Sequence, residues 1–270
     1  MQKPIHVSGK NVLFIAIPLK IPVQGVIKGV SMAILLVLIA LTVIFWSSSS
    51  RVSSLIRTNQ LAGKRILIDP GHGGIDGGAN SQDFLEKEIN LAVALKLDQQ
   101  LTKLGALVTL TRQNDVDLGR QGDSRPASHR ADLAARVTII ETNQPDIFLS
   151  VHVNANGNKP STTGAMLMYN QDIANALELA GAVQNSLNKQ MVQYNLNKHS
   201  AQPANYYILR NTTQVGVLIE LGFMTNCREK QLLQQEQYQL ELSKSIVSGL
   251  QDYFFIRNVS PSFSWSLPTD

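Results

Sequence analysis

Four residues in this chain are of the types that hold and use a metal ion: His72, Glu86, His152 and Glu220. Each lies in a short, unusual run. Asp69 to Gly74 reads DPGHGG, Leu85 to Leu91 reads LEKEINL, Ser150 to Ala155 reads SVHVNA, and Val217 to Phe223 reads VLIELGF. Two imidazoles and a carboxylate make a three-ligand zinc site of the catalytic kind, whose fourth position is left to water. A second carboxylate nearby takes that water's proton. One local ambiguity remains, because Glu88 stands beside Glu86 and an acid at a helix start also serves the helix dipole.

The elements that must position these groups can be read from apolar patterning. His72 follows the short apolar run Arg65 to Asp69, so it lies at the carboxyl edge of a sheet, where α/β sites form. A phosphate cradle would need a helix starting at the glycines and a Gly-Lys-Ser/Thr ending; the chain has neither after Gly78. His152 closes the apolar run Asp146 to His152, the pattern of a strand covered on both faces. Period two then sets Ser150, His152 and Asn154 on one face. Polar groups on such a strand must be paired or used, and Asn154 is a candidate to position a ligand or a substrate carbonyl. Glu220 sits inside an apolar run, where an ionised carboxylate is costly unless it is functional or salt-bridged to an arginine. Asp69 either orients a ligand histidine or ends its strand. His129 and His199 read as surface histidines in loops. Cys227 stands alone, which excludes a disulfide framework and leaves it as structural filler.

Further helices are expected at Glu88 to Leu104, Arg130 to Thr142, Gln171 to Gln193 and Gln234 to Phe255. The first repeats Ile89, Val93, Leu97 and Leu101 on one face before a capping Gly105. Further strands are expected at Ala106 to Thr111, Gly164 to Tyr169, Tyr206 to Leu209 and Val215 to Leu221. This alternation makes residues 64–255 a single α/β domain, a mostly parallel twisted sheet flanked by helices, with a loose tail over 256–270. Residues 30–46 carry no charge and are long enough to cross a hydrocarbon core of about 30 Å. They are expected to form a transmembrane helix, an uncleaved signal-anchor ending at an interfacial Trp46, after a juxtamembrane segment over 1–29 and before a serine-rich linker over 47–63. With the span set aside, 44% hydrophobic and 16% charged residues are ordinary for a globular chain. A net charge of +4, without a basic run or aromatic interleaving, gives no footprint for nucleic acid.

The four motifs, in this order and spacing, resemble the zinc-dependent N-acetylmuramoyl-L-alanine amidases over roughly Lys64 to Phe255. The resemblance implies one zinc ion and, as substrate, the amide between the glycan strand and the stem peptide of bacterial peptidoglycan. It matches Glu86 to the carboxylate ligand, leaving Glu88 as a cap, and Glu220 to the catalytic glutamate. Arg136 falls where the family also has an arginine, which either clamps sheet to helix or meets a peptide carboxylate. The nearest look is to the membrane-anchored type linked to spore cortex and germination, with a vegetative wall amidase for cell separation as the alternative. Both place the catalytic domain outside the cell membrane, and an activator protein is among the partners the resemblance allows. Two readings of other classes are a peptidoglycan-binding protein without activity and a zinc exopeptidase; the latter often uses two metals, and only one ligand set is visible here.

Overall fold

The computed structural model describes residues 32, 35–44, 59–119 and 128–259. The chain divides into two units, Met1–Ser53 and Ser54–Asp270. In the first, residues 35–44 are helical, with exposed apolar side chains such as Leu36 and Ile44. No helix among the described residues is long and apolar enough to cross a membrane. Part of the expected span over 30–46 lies outside the described residues, as do 47–58 of the expected linker and 260–270 of the expected tail.

The second unit is built on a six-stranded sheet. Its strands, in chain order, are β1 (Arg65–Pro70), β4 (Leu107–Leu110), β5 (Ile147–Asn154), β6 (Met166–Tyr169), β7 (Gln202–Pro203) and β8 (Gly216–Phe223). A separate small hairpin pairs β2 (Asn80–Ser81) with β3 (Phe84–Leu85). The sheet order is β4-β1-β5-β8-β6-β7. The first four strands run parallel; β6 is antiparallel to β8, and β7 follows β6. The helices are α1 (Glu86–Lys103), α2 (His129–Asn143), α3 (Ala176–Gln193), α4 (Tyr207–Arg210), α5 (Cys227–Leu233) and α6 (Glu236–Val259).

Strand alternation splits the core between two unequal faces. Ile66, Ile68, Leu149, Val151, Val217 and Ile219 point to a thick face, where they pack with α1, α3 and α6 through Val93, Leu97, Val183, Leu187, Ile246 and Leu250. Leu67, Phe148 and Leu218 point to a thin face, covered by Ile140 of α2 and by Ile208 and Leu209 of α4. Asp69, Ser150, His152 and Glu220 continue the same alternation, so every polar group of the central strands emerges on the thin side. Immediately beyond Glu220 the register against β5 shifts, a β-bulge of the kind that re-aims side chains beside active sites.

Most expected elements stand within a few residues of their expected bounds. Gly105, in a left-handed conformation with φ 82°, ends α1, and Ala106 N–H closes onto Leu101 O at 3.1 Å. The strand expected at Tyr206 to Leu209 is instead the helical turn α4. Arg210 N–H closes onto Tyr206 O at 3.0 Å and Asn211 N–H onto Tyr207 O at 3.2 Å, the i to i−4 bonds of a helical turn. Helix α5 was not foreseen: it is short, and its start is fixed by Asn226, whose side chain accepts Glu229 N–H. The core also takes in Leu61, ahead of β1, and α6 runs on to Val259.

Helices α3 and α6 meet closely at Gly249, where an added Cβ would lie 2.5 Å from Val183 Cα. Gly249→Val is expected to cost about 2–3 kcal/mol by overpacking. The urea midpoint should fall with the slope unchanged, and an unaltered midpoint would refute the close contact.

Candidate active site

The site forms where β1, β5 and β8 end. After β1 the chain turns through Pro70 and Gly71 into His72, which has a left-handed φ of 61°. Such a φ is uncommon outside glycine and is held here by neighbours. A Cβ at Gly71 would strike the His152 ring, so glycine is required for the second imidazole to lie against this turn. Gly78, at φ 67°, leaves room in the same way for Glu86 and His72.

Glu86 is the first residue of α1 and is nearly fully buried. Its Oε1 lies 3.0 Å from His152 Nδ1 and 3.3 Å from His72 Nε2. The same oxygen accepts Val153 N–H at 3.0 Å and Asn90 Nδ2 at 3.2 Å, while Oε2 accepts Ala79 N–H at 2.8 Å. The two imidazoles meet edge to face, with ring centres 5.0 Å apart. One donor atom from each of His72, Glu86 and His152 lies within 4.8 Å of the others, and among the described residues this is the one such group. Glu88 is exposed on the far side of the helix start. Two imidazole nitrogens and a carboxylate oxygen, converging on a cleft, are the donor set of a divalent metal of the zinc type.

Glu220 faces this group from β8, directly opposite His152 in the strand register. It is buried, and its Oε2 has no hydrogen-bond partner among the described residues. Burial pushes its carboxyl up to about 7, with the two imidazoles pulling it down and Glu86 adding to the rise. An unpaired acid in this position has the marks of a group kept for a reaction. The cleft holds about 340 Å³ and is lined by the three metal-type ligands, Glu220, Asn154, Asp76, His129, Leu133 and the Tyr206–Ile208 stretch, among others.

Behind the ligands lies a second set of polar groups. Asp69 is fully buried and accepts from Thr111 Oγ1 at 2.7 Å, Ser150 Oγ at 2.8 Å and Arg136 Nη1 at 2.6 Å. Arg136 also donates to Asp132 at 2.6 Å, to Pro70 O at 2.8 Å and to His72 O at 2.7 Å. Its guanidinium is thus buried in the scaffold, and it clamps the histidine turn to α2. Asp69 supports that turn through Arg136, and among the described residues its hydrogen bonds go to Thr111, Ser150 and Arg136, not to an imidazole. Asn154 lines the cleft beside His152.

Sequence reasoning missed three partners. Asp76 Oδ2 lies 2.9 Å from His72 Nδ1 and 3.2 Å from His129 Nδ1, so His129 belongs to the cleft rim and begins α2 instead of lying in a loop. The acid four residues after His72 was the available signal. Arg112 donates to Pro70 O, Gly71 O and Lys87 O, gripping the same turn from the other side. Asn90, one helical turn after Glu86, donates both to it and to Gly71 O at 3.1 Å. Two remaining readings need revision: His199 is half-buried, with Nε2 2.7 Å from Thr163 O, and Cys227 is exposed at the start of α5.

The fold and cleft define a hydrolase-type α/β domain with one three-ligand metal-type site and a facing acid. Residues 66–252 match the family described as N-acetylmuramoyl-L-alanine amidase, and the chain belongs to that family. It is 35% identical over 195 residues to the germination-specific N-acetylmuramoyl-L-alanine amidase of Bacillus subtilis (strain 168), covering 72% of this chain and 81% of that one. Among solved structures it resembles the CwlD amidase from Clostridioides difficile in complex with the GerS lipoprotein, at 34% identity and a TM-score of 0.66, covering 72% of this chain and all of that one. An N-acetylmuramoyl-L-alanine amidase from Clostridium difficile 630 is similar at 30% identity and a TM-score of 0.61, covering 71% and 96% of the two chains. The protein is an amidase that cleaves the bond between N-acetylmuramic acid and L-alanine in peptidoglycan.

Two outcomes are expected from this geometry. Arg136→Met leaves Asp69 and Asp132 without their cation, at a cost of about 3–5 kcal/mol, and loosens the turn that carries His72. Metal affinity should fall about 10–100-fold, read by chelator competition; unchanged affinity would show that the clamp does not set the ligand. The second outcome concerns protons. Burial opposes charge on His72, but Glu86 and Asp76 override it and raise the imidazole to about 9. The metal-free protein therefore holds a proton on His72 at pH 7, and a ligand nitrogen must shed it. Apparent metal affinity should rise about tenfold per pH unit from 7 toward 9, with proton release seen by calorimetry in buffers of different ionisation enthalpy.

Proposed function

We propose that the amide is cut with one zinc ion held by His72, Glu86 and His152, and with Glu220 as the proton-transferring group. The observation that carries this reading is the convergence of the three donors opposite a buried, unpaired carboxyl. When bound, zinc would supply Lewis-acid polarisation of the lactyl carbonyl and would acidify a water to a pKa of about 7. Glu220 takes the proton of the attacking water and returns it to the departing alanine nitrogen, so that water's oxygen ends on the lactyl carboxylate and a free amine leaves. Asn90 and the Val153 and Ala79 amides hold the Glu86 carboxylate in place. Asp76 holds the Nδ1 edge of His72. Asn154, at the end of β5, lines the cleft, which supports a role in meeting the substrate carbonyl.

A zinc exopeptidase with two metals finds no support in the single ligand group among the described residues. A binding protein without activity finds none in a site that keeps all four reactive groups. Within the amidase class, the likeness to a germination-specific enzyme supports action on spore cortex, with vegetative wall turnover as the second reading. The uncharged stretch over 30–46 supports a single-pass signal-anchor that tethers the domain on the outer side of the membrane. The neighbouring structure in complex with a lipoprotein supports an activator partner for this chain.

Glu220→Gln should lower the release of new L-alanine amino termini from purified peptidoglycan by about 10²–10⁴-fold while the protein still binds one zinc. Release at the unaltered rate would remove Glu220 from the mechanism, and loss of zinc as well would make it a ligand.

A further inference from the structure

The cleft is lined by two chemically unlike sets of side chains, the polar His72, Asp76 and His129 and the apolar or aromatic Tyr206, Tyr207, Ile208 and Leu133. Tyr206 is the exposed member of the second set. It precedes α4 with an extended backbone, and 42% of its surface stays open to solvent although it lines the cleft. Its neighbours Ile208 and Leu209 are sunk into the thin-face core and fix the turn that presents it. Burial, together with the Glu220 carboxylate, raises its phenol above the ordinary tyrosine range, and both residues line the one cleft.

The substrate, taken from the amidase assignment, also has unlike halves. On the peptide side of the scissile bond stand alanine and further amides. On the glycan side a hexose ring begins three single bonds from the carbonyl, about 4 Å away. That ring has a C–H face and a rim of polar groups. Such a face packs on an open aromatic side chain, whose flat apolar body and polar tip match it. A wet peptide backbone gains less from this surface.

We propose that Tyr206 is the platform of a sugar subsite, on which the N-acetylmuramic acid ring lies while its lactyl amide reaches Glu220. The ring fixes the glycan half of the substrate and makes no contact with the bond being cut. Tyr206 is therefore a specificity residue, and its effect falls on KM.

The test uses the full chain with zinc and two substrates, a muramoyl peptide and the same lactyl peptide without the sugar. Tyr206→Ala should raise KM about tenfold on the muramoyl peptide, leave kcat within about twofold, and leave the sugar-free substrate unaffected. Tyr206→Phe keeps the ring and should match the wild type on both. An equal loss on both substrates, or a Phe variant as impaired as Ala, would overturn the proposal; the second result would assign the effect to the phenol hydroxyl. In the wild-type protein with labelled tyrosine rings, methyl N-acetylmuramic acid should shift the Tyr206 ring resonances, and no shift would also overturn it. Hydrolysis of the muramoyl peptide by the wild type checks the amidase reading separately.

Discussion

The contact on which the site depends is the buried pair of Asp69 and Arg136. It joins four elements at one point: β1 through Asp69, β5 through Ser150, the end of β4 through Thr111, and α2 through Arg136 itself. Buried ion pairs repay little of their desolvation, so this one is a poor source of stability compared with an apolar replacement. Its value is geometric. Every nitrogen and oxygen of the pair has at least one hydrogen-bond partner, and two of those partners are the carbonyls of Pro70 and His72. A histidine in a left-handed conformation is held there by a guanidinium that cannot lose its charge. Arg112 repeats the arrangement from the opposite side, so the turn is gripped by two fixed cations before any ligand arrives.

That arrangement follows from the unequal faces of the sheet. Three long helices bury the apolar positions of the central strands on one side. On the other, α2 and the short α4 cover only the lower part of the strands, which leaves their carboxyl ends open. Alternate residues of β5 and β8 must point somewhere, and those on the thin side beyond Phe148 and Leu218 are Ser150, His152 and Glu220. The cleft is thus the uncovered remainder of a core, and its polar groups stand on rigid strands. Glu86 comes from a helix end, where the backbone amides of neighbouring segments satisfy its oxygens before a metal does.

The chemistry-bearing residues were legible because each breaks a local rule. A histidine among glycines, an acid within an apolar strand and a histidine closing another strand all contradict burial unless they have a use. The long elements were legible by period. What could not be read depends on distance. Arg112 earns its place by bonding carbonyls more than twenty residues away, and nothing near it in sequence marks this. Asp76 bonds two histidines that only the fold brings together. Tyr206 to Leu209 has strand-like residues, but its backbone bonds close within the segment as a turn of helix, and four residues are too few for a helical period to show. Strand β7 has two residues, too few for any period to show.

The margins of the sheet have a bearing on crowding. One edge is β4, with four residues, and the other is β7, with two, one of them a proline that lacks the N–H a new strand would need. Long flat edges recruit further chains, whereas these are too short to template one. A hydrolase that works on an insoluble polymer collects at high local density on its surface. The reversal of β6, which brings the sheet to so brief a finish, lets copies gather there with little tendency to zip together edge to edge.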